Sequence, residues 1–262
     1  MARRSIEGKR AIITGASSGI GRALALQMAS RGCQLIINAR RKEKLDDLAR
    51  QIEQAGGTAV LQVGDVTEPE VRSDMIQLAD QSFGGLDILV NNAGIGALGR
   101  FADAGEERLR RVMEVNFFAP AELTRVAIPV LEKSDRPMVV NISSVLGHRG
   151  VPMKSEYCAS KFAMHGLADS IRAELVDRGI DVLLISPSTT ASEFFDNVID
   201  NTTSKNWKLS SAKTPEYVAR RTIKGIERGN HEIILSWSGW GLVWLDKLMP
   251  TLANHMVSKF GK

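Results

Sequence analysis

The chain has 262 residues, 44% hydrophobic and 24% charged, the balance of a soluble globular protein with enough apolar side chains to build a sizeable core. Its formal charge of +4 is mild, and its basic residues alternate with acidic ones instead of forming a run interleaved with aromatics, which argues against a nucleic-acid partner. Two cysteines, Cys33 and Cys158, and four histidines without ligand spacing give no disulfide framework and no metal site.

Other local features read as ordinary. Arg108, Arg110 and Arg111 stand beside Glu106, Glu107 and Glu114 and read as a solvated helix face. Residues 1–9 carry charges but no apolar stretch, so no secretory signal is expected and the reducing cytoplasm is favoured. No uncharged apolar run reaches the ~18 residues that suggest a membrane span.

In chain order, short aliphatic runs fall at 11–13, 35–37, 59–61, Leu86 to Val90, Met138 to Ile142, Val182 to Ile185 and 233–235. Amphipathic stretches such as Arg41 to Gln54, Pro69 to Phe83 and Ser155 to Arg178 separate them. Continuous apolar strands alternating with helices predict an α/β fold, a doubly wound parallel sheet of about seven strands with helices on both faces. No linker or repeat interrupts the pattern, so residues 1–262 are expected to form one domain.

The first run leads into Thr14-Gly15-Ala16-Ser17-Ser18-Gly19-Ile20-Gly21 and then a helical stretch from Arg22 to Arg31. Glycines permit the tight turn and let backbone amides approach a pyrophosphate at the positive end of the helix, making Gly15, Ser17, Ser18, Gly19, Ile20 and Gly21 candidate cofactor contacts. At the end of the second run, where a carboxylate would read an NAD ribose, the chain has Asn38-Ala39-Arg40-Arg41. A guanidinium fits a 2′-phosphate, so NADP(H) is the expected cofactor, with Arg40 the chief reader and Arg41 its helper. Asp65, taken alone, reads as a helix cap before Pro69, and Asn91 to Gly94 as a turn. Tyr157 and Lys161 are four apart on a helical stretch and share a face. A neighbouring ammonium would lower the phenol pKa and make a working general acid/base, whereas alone the two would be an exposed pair.

Spacing beyond these residues carries a resemblance. The glycines at 15, 19 and 21 resemble the TGxxxGxG motif, and Asn91-Asn92-Ala93-Gly94 the NNAG motif, of the short-chain dehydrogenase/reductase family. Ser144 stands thirteen residues before Tyr157, and Asn116 lies within Val115-Asn116-Phe117, both where that family has catalytic residues. The resemblance runs from Gly8 to about Leu235 and implies a Rossmann-like fold and a tetrad of Asn116, Ser144, Tyr157 and Lys161. By that resemblance Tyr157 moves the proton, Ser144 bonds the substrate oxygen, and Lys161 also holds the nicotinamide ribose. Asn116 kinks a helix and holds a water behind the lysine. Asp65 would meet the adenine amino group with the Val66 backbone beside it, Asn91 would stabilise the central sheet, and Asn92, Ala93 and Gly94 would let the cofactor pass. Pro187-Ser188-Thr189-Thr190-Ala191-Ser192 stands where relatives read PGxxxT, so Pro187, Thr190 and Ser192 are expected at the nicotinamide. Serine replaces glycine at 188, where a glycine-only backbone angle would be strained.

The implied function is an oxidoreductase transferring a hydride between NADP(H) and a small-molecule carbonyl or secondary alcohol. The alternative is a catalytically idle nucleotide-binding scaffold of the same fold, against which all four tetrad positions weigh. An epimerase or dehydratase is disfavoured by glycine spacing and by the mere 75 residues after Pro187. Ile95, Leu146, His148, Val151, Phe194 and Phe195 are candidate pocket walls, a mostly apolar set suited to a hydrophobic substrate; His148 could orient a polar group or sit in a solvated loop. Among them Leu146 and Phe194, with Ser144 and Tyr157, are the chief substrate contacts. The polar stretch 188–211 is expected to be a substrate lid. A homodimer or homotetramer is expected through long helices at Asp103 to Leu131 and Ser155 to Arg178. Residues 237–262 form an amphipathic extension: Trp237, Trp240, Trp244 and Leu248 make one stripe, Leu252, Met256 and Phe260 continue it, and Lys247, Lys259 and Lys262 add charge. That stripe would pack on its own domain or close the pocket, meet a second copy, or attach peripherally to a membrane.

Overall fold

A computed structural model describes residues 4–191, 198–199 and 212–258. Seven strands, β1 Arg10–Thr14, β2 Gln34–Ala39, β3 Thr58–Val63, β4 Ile88–Asn91, β5 Met138–Ile142, β6 Asp181–Ser186 and β7 Glu232–Ile234, form one sheet in the order β3-β2-β1-β4-β5-β6-β7, and every pairing is parallel. The helices are α1 Gly19–Ala29, α2 Lys42–Gln54, α3 Pro69–Phe83, α4 Glu106–Met113, α5 Ala119–Leu131, α6 Ser155–Glu174, α7 Pro215–Arg228, α8 Trp237–Leu248 and α9 Pro250–Ser258. None among the described residues is long and apolar enough to cross a membrane.

The expected α/β architecture is present, and its cause is visible strand by strand. Strands β4 and β5 are buried along their whole length, matching their uninterrupted aliphatic sequences, while the edge strands β3 and β7 are half-buried to exposed. Side chains alternate between the two faces with period two. Ile13 and Ile37 join a core with α1, α2 and α7, whereas Ile12 and Ile36 join the opposite core with α3, α5 and α6. In α2, Leu45, Leu48, Ala49 and Ile52 make the buried stripe of an amphipathic helix. The strand order reverses between β1 and β4, and a crevice forms beyond their carboxyl ends, where such sheets bind ligands.

Two helices and the tryptophan stripe differ from expectation. The run from Asp103 to Leu131 is not one helix: a 3-10 turn at Phe101–Asp103 precedes α4, and a π-helical turn at Glu114–Phe118 separates α4 from α5. The helix expected to end at Arg178 stops at Glu174, followed by a 3-10 turn at Val176–Arg178. The stripe of Trp237, Trp240, Trp244 and Leu248 does not pack on its own domain, being 90%, 49%, 44% and 72% exposed; the opposite side of α8, through Gly239 and Val243, is buried instead.

At the amino end of the sheet, Leu86 and Asp87 precede β4 rather than belonging to it, which frees Asp87 to act as a clamp. Its carboxylate accepts bonds from the Arg10 backbone N–H at 2.8 Å, Arg10 Nε at 2.7 Å and Nη2 at 3.0 Å, and from the Ser134 hydroxyl. The Asp87 carbonyl also accepts from Met138 N–H at 2.9 Å, joining β1, β4 and β5 at one residue. Burial pushes the Asp87 carboxyl up, but the bonds from Arg10 and Ser134 outweigh it and hold it well below the usual range. Its folded-state pKa lies below the unfolded value of about 3.9, so its stabilisation is complete above that pH and is lost as pH falls further. Asp87→Ala is expected to lower unfolding free energy by about 3–5 kcal/mol, as breaking a buried pair does, and to flatten the loss of stability below pH ~4. Urea unfolding of both proteins at neutral and acid pH measures this.

Candidate functional site

The loop after β1 is built by the absence of side chains. Gly15 and Gly19 have φ of +65° and +54°, and a Cβ on Gly21 would lie 2.4 Å from the Gly15 carbonyl oxygen and 2.5 Å from Asn92 Nδ2. Asn92 Nδ2 donates to the Thr14 carbonyl at 2.8 Å, and Thr14 Oγ1 accepts from the Asn92 and Ala93 N–H groups at 3.0 Å each. The end of β4 is thereby pinned to the turn. The first turn of α1 carries no acidic residue, and Ser18, its N-cap, makes no side-chain cap, so the helix amides face the crevice as an anion cradle.

One cavity of about 870 Å³ runs from this turn past Ser144 and Tyr157 to the inner side of α8 and α9. Gly15, Ser17, Ser18, Gly19 and Ile20 line it, whereas Gly21 lies behind the turn as a packing residue. Arg40, Arg41, Asp65 and Val66 close the end beyond β2 and β3. Arg41 Nη2 donates to Ser17 Oγ and Ser18 Oγ at 3.0 Å each, while Arg40 is more than half exposed and 3.8 Å from Asp65. Arg41, expected only as a helper, is the better anchored of the two. Asp65 does not cap α3, whose N-cap is Glu68; it accepts from Thr67 N–H at 3.0 Å, Thr67 Oγ1 at 2.9 Å and Arg111 at 2.8 Å. Burial raises the Asp65 carboxyl, but those donors outweigh it and leave it ionised below the normal range.

Ala93, Gly94, Ser144, Tyr157, Lys161, Pro187 and Thr190 line the middle of the same cavity, with Asn92 beside them. Ser144 caps the 3-10 turn Val145–Gly147, accepting from Leu146 N–H at 3.1 Å, and its hydroxyl bonds the Tyr157 hydroxyl. Lys161, one turn along α6 from Tyr157, is buried and donates to the Ile142 carbonyl at 3.0 Å, its Nζ 5.6 Å from the Tyr157 ring centroid. The phenol is not lowered as expected: burial pushes Tyr157 up to about 12, partly opposed by Ser144. Burial likewise brings Lys161 down to about 8.

Asn116 stands behind the cavity wall. It sits in the π-helical turn, accepts Ile95 N–H at 2.8 Å, and donates to the Ile95 carbonyl at 2.9 Å and to Ser160 Oγ at 3.0 Å. Asn91 is also structural, donating to Thr124 and Asn141 at 2.9 Å each within the sheet. Serine at 188 brings no strain, because among the described residues only Arg136 and Met153 are non-glycines at positive φ.

The inner end of the cavity is apolar. Ile95, Leu146 and Val151 line it as expected, and Leu98, Val145, Leu242 and Leu245 complete it. His148 does not: its ring turns away to bond Glu232 at 2.7 Å, since β7 offers a carboxylate there. With His165, these two bring three possible ligand atoms within 4.8 Å, a juxtaposition invisible to spacing along the chain. Ser192, Phe194 and Phe195 lie outside the described residues.

Two features escape the sequence reading. Arg108 is not on a solvated face; both it and Glu156 are 2% exposed, and they pair at 2.7 Å, joining α4 to the residue before Tyr157. Arg110 alone of that trio stays well exposed, paired with Glu106 on its own helix, while Arg111 reaches Asp65. The inner face of α8 enters the cavity because Gly239, whose Cβ would lie 2.6 Å from Val145, lets the helix approach. Leu242 and Leu245 sit opposite the tryptophan stripe, a second apolar face that helical spacing could have revealed.

Comparison with known proteins bears on the family and the fold. Residues 9–203 match the short chain dehydrogenase family model. A dehydrogenase/reductase SDR family protein 7-like of Anopheles gambiae is 31% identical, over 98% of this chain and 84% of its own, and a ketoacyl reductase of Nostoc is 30% identical over 88% and 80%. Among solved structures, a short chain dehydrogenase/reductase of Burkholderia phymatum in complex with NAD superposes with a TM-score of 0.87 at 25% identity, covering 95% of this chain and 96% of that one. With seven parallel strands in this order and a family match over most of its length, the chain belongs to the short-chain dehydrogenase/reductase family.

Proposed function

We propose that the protein is an NADP(H)-dependent reductase of a hydrophobic carbonyl compound, with Tyr157 as general acid/base. The observation that carries this reading is one continuous cavity with an anion cradle and two arginines at one end, Ser144, Tyr157 and Lys161 midway, and aliphatic walls beyond. The cofactor fits these residues: the amides of 15–20 suit its pyrophosphate, and Ala93 and Gly94 leave room for its passage. Bound NADPH would supply the hydride to the carbonyl carbon.

The protein's part is to bind the oxygen and deliver the proton. Ser144 and Tyr157 line the same stretch of the cavity with their hydroxyls bonded to each other, so a carbonyl oxygen bound beside them would accept from both as charge develops on it. Burial keeps the Tyr157 phenol protonated at physiological pH, and that proton is the one reduction consumes. Lys161 keeps a cation beside the ring and would hold the ribose of a bound cofactor, and Asn116, by holding Ile95, shapes the adjacent wall. Most of the segment 188–211, expected to be a lid, lies outside the described residues; of those described, Val198 lines the cavity and Ile199 N–H bonds the Gly96 carbonyl at 3.0 Å, which supports that role in this reading. Self-association, like the single-domain organisation, belongs to the same reading; exposed Phe118, Val126 and Phe162, next to or on α5 and α6, support it.

At the ribose, no carboxylate stands at the end of β2 to repel a 2′-phosphate, and Asp65 is already engaged by Arg111. A charge-assisted bond to a guanidinium contributes about 1.5–3 kcal/mol, so NADPH is expected to exceed NADH by ~10- to 100-fold in kcat/KM. Replacing Arg40 and Arg41 together with alanine should erase that ratio; a wild-type preference for NADH would refute the assignment.

Tyr157→Phe should cut ketone reduction by ~10²–10⁴-fold while NADPH binding, read by fluorescence, persists. Full activity in this variant would remove the tyrosine from the chemistry. The pH profile gives an independent check. Lys161 is cationic below a pKa of about 8 and loses its charge above it, so kcat/KM for reduction should be level at neutral pH and decline as pH rises through that value. Lys161→Arg, always charged, should remove that decline.

A further inference from the structure

Among the described residues, fourteen large hydrophobic side chains are exposed, and seven of them fall between Trp237 and Met256. Such crowding on α8 and α9 marks an interaction surface, because scattered exposed apolar residues are normal but contiguous ones are not. The three tryptophans are contiguous, with ring centroids 6.5 Å apart for Trp237 and Trp240 and 5.7 Å for Trp240 and Trp244. Leu248 and Met249 extend the surface at the turn into α9, 72% and 54% exposed.

The helix pair cannot turn this face inward. Its other side is already committed, with Gly239 against Val145, Ala253 and Val257 buried, and Leu242 and Leu245 in the cavity wall. Arg149 ties the pair down by bonding Asp246 at 2.6 Å and also Asn254. That bond neutralises Asp246, the only acidic side chain from Trp237 to the last residue. Exposed Lys247 places its Nζ 5.8 Å from the Trp244 ring centroid; Lys259, Phe260 and Lys262, expected to continue the stripe and its charge, lie outside the described residues. The described face is therefore apolar and aromatic, with the cation of Lys247 at its edge and the carboxylate of Asp246 neutralised, which complements an anionic lipid surface. A second copy of the same face would bring like charges together.

We propose that the outer face of α8 and α9 docks on a lipid bilayer with anionic headgroups. Met256 belongs to both surfaces, lining the cavity and lying 46% exposed, so docking sets the inner end of the cavity beside the lipid. That a hydrophobic substrate enters from the bilayer rests on the carbonyl-reductase reading above; the docking itself does not.

The full-length protein, mixed with vesicles of phosphatidylcholine alone or with phosphatidylserine, tests the docking by flotation and tryptophan fluorescence. Binding to the anionic vesicles with a blue-shifted emission is expected. Trp237→Ser combined with Leu248→Ser, both solvent-facing, should weaken it at least tenfold without changing NADPH-dependent reduction of a water-soluble ketone, and Lys247→Glu should weaken it only on anionic vesicles. Absence of binding to either vesicle, or equal binding by the double variant, would overturn the proposal. So would a mass that doubles with concentration and falls to one chain in the double variant, which would assign the face to a second copy. Vesicle binding without ketone reduction would refute the enzymatic reading and leave the docking intact.

Discussion

The structure turns on how closely two pieces of backbone meet beyond the carboxyl end of β1. Gly21 passes so near the Gly15 carbonyl and Asn92 that a single methyl group would occupy the same space. Overpacking there would cost about 1–3 kcal/mol or push the helix away. Because the contact is tight, α1 points its first amides into the crevice, the end of β4 is pinned to the turn by Asn92 and Thr14, and Ala93 and Gly94 are delivered to the cavity wall. The position of the cavity relative to both halves of the sheet follows from this one approach.

From that point the cavity changes character along its length, and the fold supports each part differently. The phosphate end relies on backbone amides and on arginines at the surface, where solvation limits their cost. The middle relies on buried ions. Lys161 is held by the Ile142 carbonyl, and the Arg108–Glu156 pair, fully out of solvent, joins α4 to the residue before Tyr157. Buried pairs add little net stability compared with apolar packing, but each partner needs the other, so they fix geometry. The far end is aliphatic and is finished by α8, which can approach only because residue 239 is glycine.

The parallel sheet of about seven strands with helices on both faces is legible because continuous aliphatic runs alternating with amphipathic stretches are local signals, whereas the order of the strands is not local and comes from the structure. Ile12 and Ile13 alternate between cores as their neighbours in sequence require. Tyr157 and Lys161 are legible as a pair sharing a helix face, but Ser144 and the joint role of the three come only from the resemblance to the family's motifs. What escaped was set by partners distant in the chain. Arg108 looks like its neighbours Arg110 and Arg111 until Glu156, 48 residues away, meets it. His148 looked like a pocket residue until β7 placed Glu232 beside it. The pair with Lys161 by itself implies a lowered phenol, but burial, which spacing along the chain does not show, raises Tyr157 and lowers Lys161. Sequence showed the tryptophan stripe, but not that the reverse side of the same helix was already occupied.

The π-helical turn at Glu114–Phe118 amounts to one residue more than a regular helix would hold between α4 and α5. A helix advances about 100° per residue, so that surplus rotates α4 relative to α5 by roughly this angle. Deleting one residue would restore a straight helix with a complete ladder and good local geometry. It would also swing Arg108 away from Glu156 and take Asn116 from Ile95, detaching the segment under the reacting centre from the helix that carries it. A shorter, more regular helix would thus be locally sounder and globally useless, and within this family alterations in length should be tolerated in the loops and refused here.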